Sequence, residues 1–451
     1  MTSPTLAKDY GGHIAEHTVT LKKILNFISL MFFAFVIFGG TTVVGAHKNE
    51  LLLTGAAVSV FAFLAADLKF KFFNLITLLW IYVLIFMFSS ALLGYDFSST
   101  VKYFLIYISS FIAMLSGFTK EEYKLFIKIC EIFALVFALS IIVGVFIPSL
   151  YTRTLAFIFN SPDRVNLIVR TNRVGFYSGL SGEMGEASYV SCILIAIQLC
   201  RIFSNRKASK RNVVFLIIGI AALMLTGKRT MLIIPLICIL GFVFVNNIKG
   251  KYLKLFVFGT TAIGCVLLAS MIFPPLAVTI DRIFNSSSDS ALSGRNYLWN
   301  LCQDMFRHNP FFGRGFGSFN HFANNDIDVI YNVIKRQSFS SWYFEAHSMY
   351  YQFFGELGIF GAVPAFFAIG YTLIKTFRLR KYLADMDSTE KFIYHFSLFF
   401  QIWFCVYGLT GNVGYYAQDT IIYFISVGIC LYFINKYHLT RFSFNKMNRT
   451  A

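Results

Sequence analysis

The sequence predicts an all-α polytopic membrane protein, a single integral membrane domain over 1–451 with about twelve transmembrane helices and a large late outer loop. Composition, the spacing of apolar runs and the placement of cations predict it. Hydrophobic residues make up 57% of the 451 and charged residues 14%, with a mean hydropathy of +0.65. A soluble domain is about 45–50% apolar and about 25% charged. Phe occurs 54 times against 8 Pro. Soluble enzymes, nucleic-acid binders and disordered scaffolds are excluded. The net charge of +17 therefore raises the question of which side of a membrane the cations occupy, and no nucleic-acid partner is expected.

A helix crosses the hydrocarbon with about 20 apolar residues. Runs of that kind lie at 24–46, 51–66, 73–94, 102–118, 125–148, 187–203, 213–227, 231–246, 255–273, 348–373, 392–410 and 420–435. The two shortest, 213–227 and 231–246, also fit short tilted helices with a break between them. The first run is too long for a signal-peptide core and reads as a retained anchor. Twelve spans put both termini on one side. With the N-terminus inside, and Lys102, Lys128 and Arg201 near the span ends counted with the adjoining segments, the inner segments hold 25 of the 39 Lys and Arg and the outer segments 14, so both termini are expected in the cytoplasm.

Two outer segments are long, 149–186 and 274–347. They carry Arg153, Arg164, Arg170, Arg173, Arg282, Arg295, Arg307, Arg314, Lys335 and Arg336. Long loops translocate despite such charge, but a positive outer face asks for a function. Within the later loop, 285–293 reads as a flexible link. Over 294–308, Leu298, Leu301, Met305 and Phe306 recur at helical spacing, flanked by Tyr297 and Trp299. This predicts an amphipathic helix, ended by Pro310. The eight cysteines form no C-x-x-C pair and only Cys302 lies in a long polar loop, so no disulfide framework or zinc site is expected.

Several residues are candidates for chemistry. Lys228 and Arg229 stand between two apolar spans on the side that disfavours cations. They are either interfacial anchors that snorkel to water or a clamp for a phosphate, which the planar Arg fork suits. Gly313, Gly315 and Gly317 either cradle a phosphate through backbone N–H groups or make a tight turn; no strand precedes them, so they are not a nucleotide fingerprint. Asp326 and Asp328 have D-x-D spacing, but two carboxylates underfill a divalent site, and no metal or other cofactor is expected. His347 opens the tenth span, as a cap or interfacial residue or as a group that handles a proton near neutral pH. His308 and His321 have plainer polar surroundings. Gln352 and Glu356 follow His347 along the same span. An acid inside an apolar helix is costly and is a functional candidate. In the earlier loop, Ser181, Glu183 and Glu186 are candidate caps for the sixth span.

These motifs in order resemble a known family. T-G-K-R between spans is followed by S-G-R-N-Y-L-W, N-P-F-F-G-R-G-F-G-S-F and A-H-S-M-Y-Y-Q-F-F-G-E-L-G-I-F-G, over about 225–365. This resembles the O-antigen ligase and polysaccharide polymerase superfamily of bacterial inner-membrane glycosyltransferases. The resemblance implies site roles for Arg229, Arg295, the glycines at 313, 315 and 317, and His347. It departs from the commonest form at Gly227-Lys228, where Ser often precedes the Arg, and at Ser348, where Asn often follows the His. It implies an undecaprenyl-diphosphate-linked oligosaccharide as donor and a hydroxyl acceptor. The acceptor is either another lipid-linked repeat unit, for a polymerase of capsule, exopolysaccharide or O-antigen, or lipid A core, for a ligase. Arg170-T-N-R-V-G resembles a polymerase pattern, which adds Arg170 and Arg173 to the expected glycan-binding residues beside Arg295, Lys228, Arg314 and Glu356. His347 and Arg229 are the expected catalytic pair. Membrane lipids and a chain-length regulator are further candidate partners. A flippase or other transporter stays open as another class, although no internal repeat relates 24–203 to 213–435. A structural membrane subunit is the third reading, against which the outer Arg series argues.

A reporter fused after Lys381 tests the topology. It is expected to give a cytoplasmic signal, and a periplasmic one overturns the orientation.

Overall fold

The structure, a computed structural model, describes residues 5–64, 74–91, 95–205, 209–246, 264, 270–271, 277, 295–326 and 344–439. Among them the chain is helical with no named strand. The first group of helices is α1 (Thr5–Phe38), α2 (Val43–Ala46), α3 (Lys48–Leu64), α4 (Leu75–Ala91), α5 (Phe97–Leu115), α6 (Lys120–Phe146) and α7 (Pro162–Arg173). Then come α8 (Met184–Ser204), α9 (Lys210–Leu225), α10 (Arg229–Val245), α11 (Arg295–His308) and α12 (Phe319–Asn325). The chain closes with α13 (Met349–Arg378), α14 (Ser388–Tyr407) and α15 (Ala417–Lys436).

Six helices among the described residues are long and apolar enough to cross a membrane. They are α1 from Thr20, α5, α6, α8, α13 with the turn that extends it to Asp385, and α15. The remaining expected spans at 51–66, 73–94, 213–227, 231–246 and 392–410 also coincide with helices. The span at 255–273 and the link at 285–293 lie largely or wholly outside the described residues. The first span is shorter than the expected 24–46: α1 stops at Phe38, before Gly39-Gly40, and the chain turns before α2.

The centre of the bundle is α15 with α14 packed against it, and α8 packs in turn on α14. Nearly every residue of α15 is buried, from Ala417 to Ile434. A helix that is apolar all round belongs in such a position. α5, α1 and α13 pack on α15, α6 and α9 on α8, and α10 on α14. The parallel neighbours α6 and α14, tied at their starts by Lys120 and Asp387, open with capping boxes, Thr119 with Glu122 and Asp387 with Glu390. Each box satisfies two otherwise orphaned helix-end N–H groups.

The tenth expected span is interrupted. Gly358 in α13 has φ +59° and ψ −166°, and the helix breaks there. A break in a buried helix frees backbone groups that must find partners. The 309–319 segment supplies them. Ile359 N donates to Pro310 O at 2.8 Å and Phe360 N to Phe311 O at 3.1 Å, while Arg314 N and Gly315 N donate to Gly355 O and Glu356 O, both at 3.0 Å. A Cβ on Gly313, φ +70°, would lie 2.3 Å from the Glu356 carbonyl carbon and oxygen. The Glu356 side chain, fully buried, completes the joint. It accepts from Gly317 N at 2.8 Å, Phe319 N at 2.9 Å, the Tyr415 hydroxyl at 2.6 Å and Gln352 Nε2 at 3.1 Å.

The amphipathic helix expected at 294–308 is α11. Its Leu298, Leu301, Cys302 and Met305 are buried with Phe319, Ala323, Phe344 and Ala346, and Phe306 packs edge-on to Phe354. Cys302 is therefore not an exposed loop thiol: it points into this interface, with its carbonyl 3.0 Å from where a Cβ on Gly355 would sit.

The joint at Gly358 sets the expected result of one substitution. Gly313→Ala combines a left-handed backbone, costing about 1–3 kcal/mol, with a collision against the α13 main chain. It is expected to lower the melting temperature in detergent by several degrees. Gly370→Ala, where nothing lies within 4 Å of the new methyl, is the matched control and is expected to be neutral or stabilising by about 0.5–1 kcal/mol. Equal melting temperatures for the two variants refute the account of the joint.

Candidate active site at one end of the bundle

The turn between α9 and α10 is built so that no residue but glycine fits at 227. Gly227 has φ +69°, and a Cβ there would lie 2.4 Å from the Phe176 ring. Tyr177 N donates to Leu225 O at 2.9 Å. The segment between α7 and α8 is thereby laid over the turn that presents Lys228. Arg229 opens α10 directly after it; its side chain lies outside the described residues.

The other wall is the 344–348 segment leading into α13. Trp299 Nε1 donates to Ala346 O at 2.8 Å. Phe344 N donates to Asn320 Oδ1 at 2.8 Å, and Met349 N to Gly408 O at 2.9 Å. Between these ties His347 is held at φ +53°. For a non-glycine residue this costs of the order of 1–3 kcal/mol and marks a conformation imposed by the surroundings.

Burial, and then the nearby charges of Arg295 and Lys228, lower the His347 pKa to about 4. At neutral pH the imidazole is uncharged and beside two cations. Burial also lowers the pKa of Arg295. Two residues earlier, burial raises Glu345 to about 7, opposed by a hydrogen bond from the Tyr416 hydroxyl and by Lys228, and reinforced by Glu183. Glu183 in turn pairs with Arg164 at 2.8 Å. Deeper in the bundle, Lys48 Nζ donates to Gln418 Oε1 at 2.5 Å and Gln418 Nε2 to Glu186 Oε1 at 3.1 Å. This end of the bundle thus carries a polar cluster drawn from α3, α8, α11 and the turns before α10, α13 and α15.

The structure brings Lys228, Arg295 and His347 together, with the backbone of Arg229 adjacent to Lys228. It places the other candidates elsewhere. Arg314 Nη1 donates to the Tyr95 hydroxyl at 3.3 Å and its guanidinium lies over Phe322. It lines a cleft of about 340 Å³ with Ser90 and Phe312, against α4. Arg170 and Arg173 project outward from the last turn of α7.

The phosphate-cradle reading of the glycine turn is corrected. The amides of Gly313, Arg314, Gly315, Phe316, Gly317, Ser318 and Phe319 all donate to protein acceptors, so Gly313 and Gly315 have no N–H left for a phosphate. The anion in the turn is the Glu356 carboxylate, whose four donors tie it to the fold and not to a glycan site. The capping reading of 181–186 is corrected too. Glu183 occupies the N-cap position of α8, but its carboxylate turns to Arg164 and makes no cap bond. Glu186 accepts from Gln418. Asp328 of the D-x-D pair lies outside the described residues.

Glu345 and Tyr416 were not singled out by sequence. The available signal was an acid two residues before the histidine in F-E-A-H. Tyr416 had only its place in a glycine-containing turn between the last two spans.

Among the described residues, the helices and this site define a multi-pass, helical membrane protein with a cationic, histidine-containing cluster at one end. Residues 214–366 match the family model described as O-antigen ligase, and this match supports membership of the O-antigen ligase and polysaccharide polymerase superfamily, a group of glycosyltransferase-type enzymes. The match holds Lys228, Arg229, Arg295, Arg314, His347 and Glu356; Arg170 and Arg173 fall before it. No curated protein matches the chain.

His347 and Glu345 give opposite pH dependences of stability. The folded pKa of His347 is depressed, to about 4 against 6.5, so its contribution is present above about pH 6.5 and is lost as pH falls towards 4. That of Glu345 is raised, to about 7 against 4.5, so its contribution is present below about 4.5 and is lost as pH rises through 7. Between pH 4.5 and 6.5 the two slopes oppose. Glu345→Gln is expected to unmask a melting temperature that climbs from pH 4.5 to 6.5, measured by thermal unfolding in detergent. His347→Gln is expected to give one that falls from pH 4.5 to 7. Identical pH profiles for both variants and the parent refute the assignment.

Proposed function

We propose that the chain is a polymerase of lipid-linked oligosaccharide repeat units. It transfers glycan from undecaprenyl diphosphate to a sugar hydroxyl at the outer face of a bacterial cytoplasmic membrane, with both termini in the cytoplasm. The observation that carries the reading is the uncharged His347 flanked by Lys228 and Arg295 within the matched segment. A diphosphate donor has its isoprenoid tail in the bilayer and its charge at the interface, where these cations and Arg229 meet it. In the reaction the bond between the anomeric carbon and the diphosphate oxygen breaks. The acceptor oxygen bonds to that carbon, the hydroxyl proton passes to a base, and the lipid diphosphate leaves with the bonding electrons. Cations already in place stabilise charge growing on the leaving oxygen. The leaving group is activated in advance, so neither nucleotide nor metal is needed.

Burial depresses His347 most, and the two cations that depress it further are the ones a diphosphate would neutralise. Donor binding therefore removes the cations' share of the depression and makes the imidazole a stronger base than in the empty site. Before the donor arrives, the base is held bare and weak. Glu345, poised near neutrality, is the second group able to receive the acceptor proton.

A second reading, a ligase that transfers glycan to lipid A core, is favoured by the description of the matching family. The Arg170–Arg173 segment favours the polymerase by its resemblance to polymerase patterns.

Purified protein in detergent, given lipid-linked oligosaccharide alone with EDTA, is expected to make longer lipid-linked glycans. Activity only after addition of lipid A core indicates the ligase, and unchanged covalent structure under both conditions refutes an enzyme and points to a flippase. Arg229→Ala is expected to abolish transfer at equal protein level, with Arg229→Lys a partial rescue because Lys lacks the bidentate fork. His347→Ala is expected to slow transfer by about 10²–10⁴-fold if the imidazole is the base.

A further inference from the structure

At the end of the bundle opposite His347 lies a second polar cavity. α8 runs from Glu186, beside the candidate active site, to Arg201, which lines this cavity of about 470 Å³. Lys124 and Lys128 come to it from α6, Arg211 and Asn212 from α9, and Thr389 from the first turn of α14.

Its acids do not balance its cations. Glu131, nearly buried, pairs with Arg201 and accepts from Gln198 Nε2 at 3.0 Å. Lys124 has a loose, exposed contact with Glu121 at 3.8 Å. Asp387, next to the α14 end, is held by Lys120 at 2.6 Å. Lys128 and Arg211 have no acid partner among the described residues; Arg211 only lies over the Phe215 ring at 5.9 Å. Asn212 is 3% exposed, and its Oδ1 has no hydrogen-bond partner. A buried amide atom left unmatched in a pocket calls for a ligand group, since leaving it unpaired costs about 1–3 kcal/mol. Because an amide can be turned to exchange O and N, Asn212 can offer N–H to a phosphate oxygen or O to a headgroup hydroxyl.

The walls continue as apolar surface. α6 and α9 pack together, and beyond the cations they expose Ile132 and Val136 on one helix and Val214 and Ile217 on the other. Cations at the rim of an apolar helix pair suit a molecule with a charged head and an acyl body, as in basic pockets between transmembrane helices.

We propose that this cavity binds a phosphate-bearing anion, with an acidic phospholipid headgroup the source favoured by the apolar walls. The inference does not depend on the proposed enzymatic function. Full-length protein in detergent is analysed by native mass spectrometry with phosphatidylglycerol, with phosphatidylcholine and with inorganic phosphate alone. Phosphatidylglycerol is expected to remain bound, at least tenfold more tightly than phosphatidylcholine. Its affinity is expected to fall at least tenfold in the double variant Lys128→Gln/Arg211→Gln. The pair Lys375→Gln/Lys381→Gln, outside the cavity, is expected to leave it unchanged. Arg201 is kept so that Glu131 stays paired. Retention of phosphate but not of the lipid supports the anion site with the free ion as its source. Equal binding of both lipids, or no loss in the Lys128/Arg211 variant, overturns the proposal. Should that variant fail to fold, the parent protein decides: binding must weaken steeply between low and high salt, and salt-independent retention overturns the proposal.

Discussion

The end of the bundle that carries His347 depends on how one broken helix is made whole. α13 is interrupted at Gly358 inside the bundle, where water is not at hand to receive the freed amides and carbonyls. The 309–319 loop repairs the break with four main-chain hydrogen bonds and with the Glu356 carboxylate. The same loop connects α11 to α12, and α11 in turn fixes the carbonyl of Ala346 through Trp299. The position of His347 is thus inherited from a joint elsewhere on α13. The joint explains the glycines at 313 and 358 as requirements of close approach and left-handed backbone, while the left-handed Gly317 lies against α5 at Ser99 and Thr100.

Much of this was legible in the sequence. Apolar runs located the helices well, because burial in lipid or in protein selects the same residue types along a whole turn. The helix at 295–308 could be read from a 3.6-residue rhythm of Leu298, Leu301 and Met305. The conjunction of Lys228, Arg295 and His347 came from the order of motifs, since nothing local says that a turn at 228 and a loop at 347 will meet.

What was not legible has a common physical character. Gly358 sits among apolar residues that read as an unbroken span, and only its partner loop reveals that the helix stops there. Glu356 looked functional because an acid is costly in an apolar helix, yet that cost is met by donors brought from residues 317, 319, 352 and 415. A cradle for an external phosphate and a cradle for an internal carboxylate have the same glycine-rich sequence. Glu345 escaped notice because its importance lies in a tyrosine 71 residues away.

The opposed shifts of His347 and Glu345 leave the cluster in an inverted protonation state around pH 6. There the carboxyl group holds a proton and the imidazole has none. Both groups are then electrically silent, and the charge presented by this part of the cluster is that of Lys228 and Arg295. No internal carboxylate of that pair competes for the cations, so a multiply charged anion entering from the membrane surface meets an uncancelled positive field. A neutral or zwitterionic molecule of the same shape gains nothing from it. Selection by charge weakens as the pH rises past 7 and Glu345 becomes an anion in its own right.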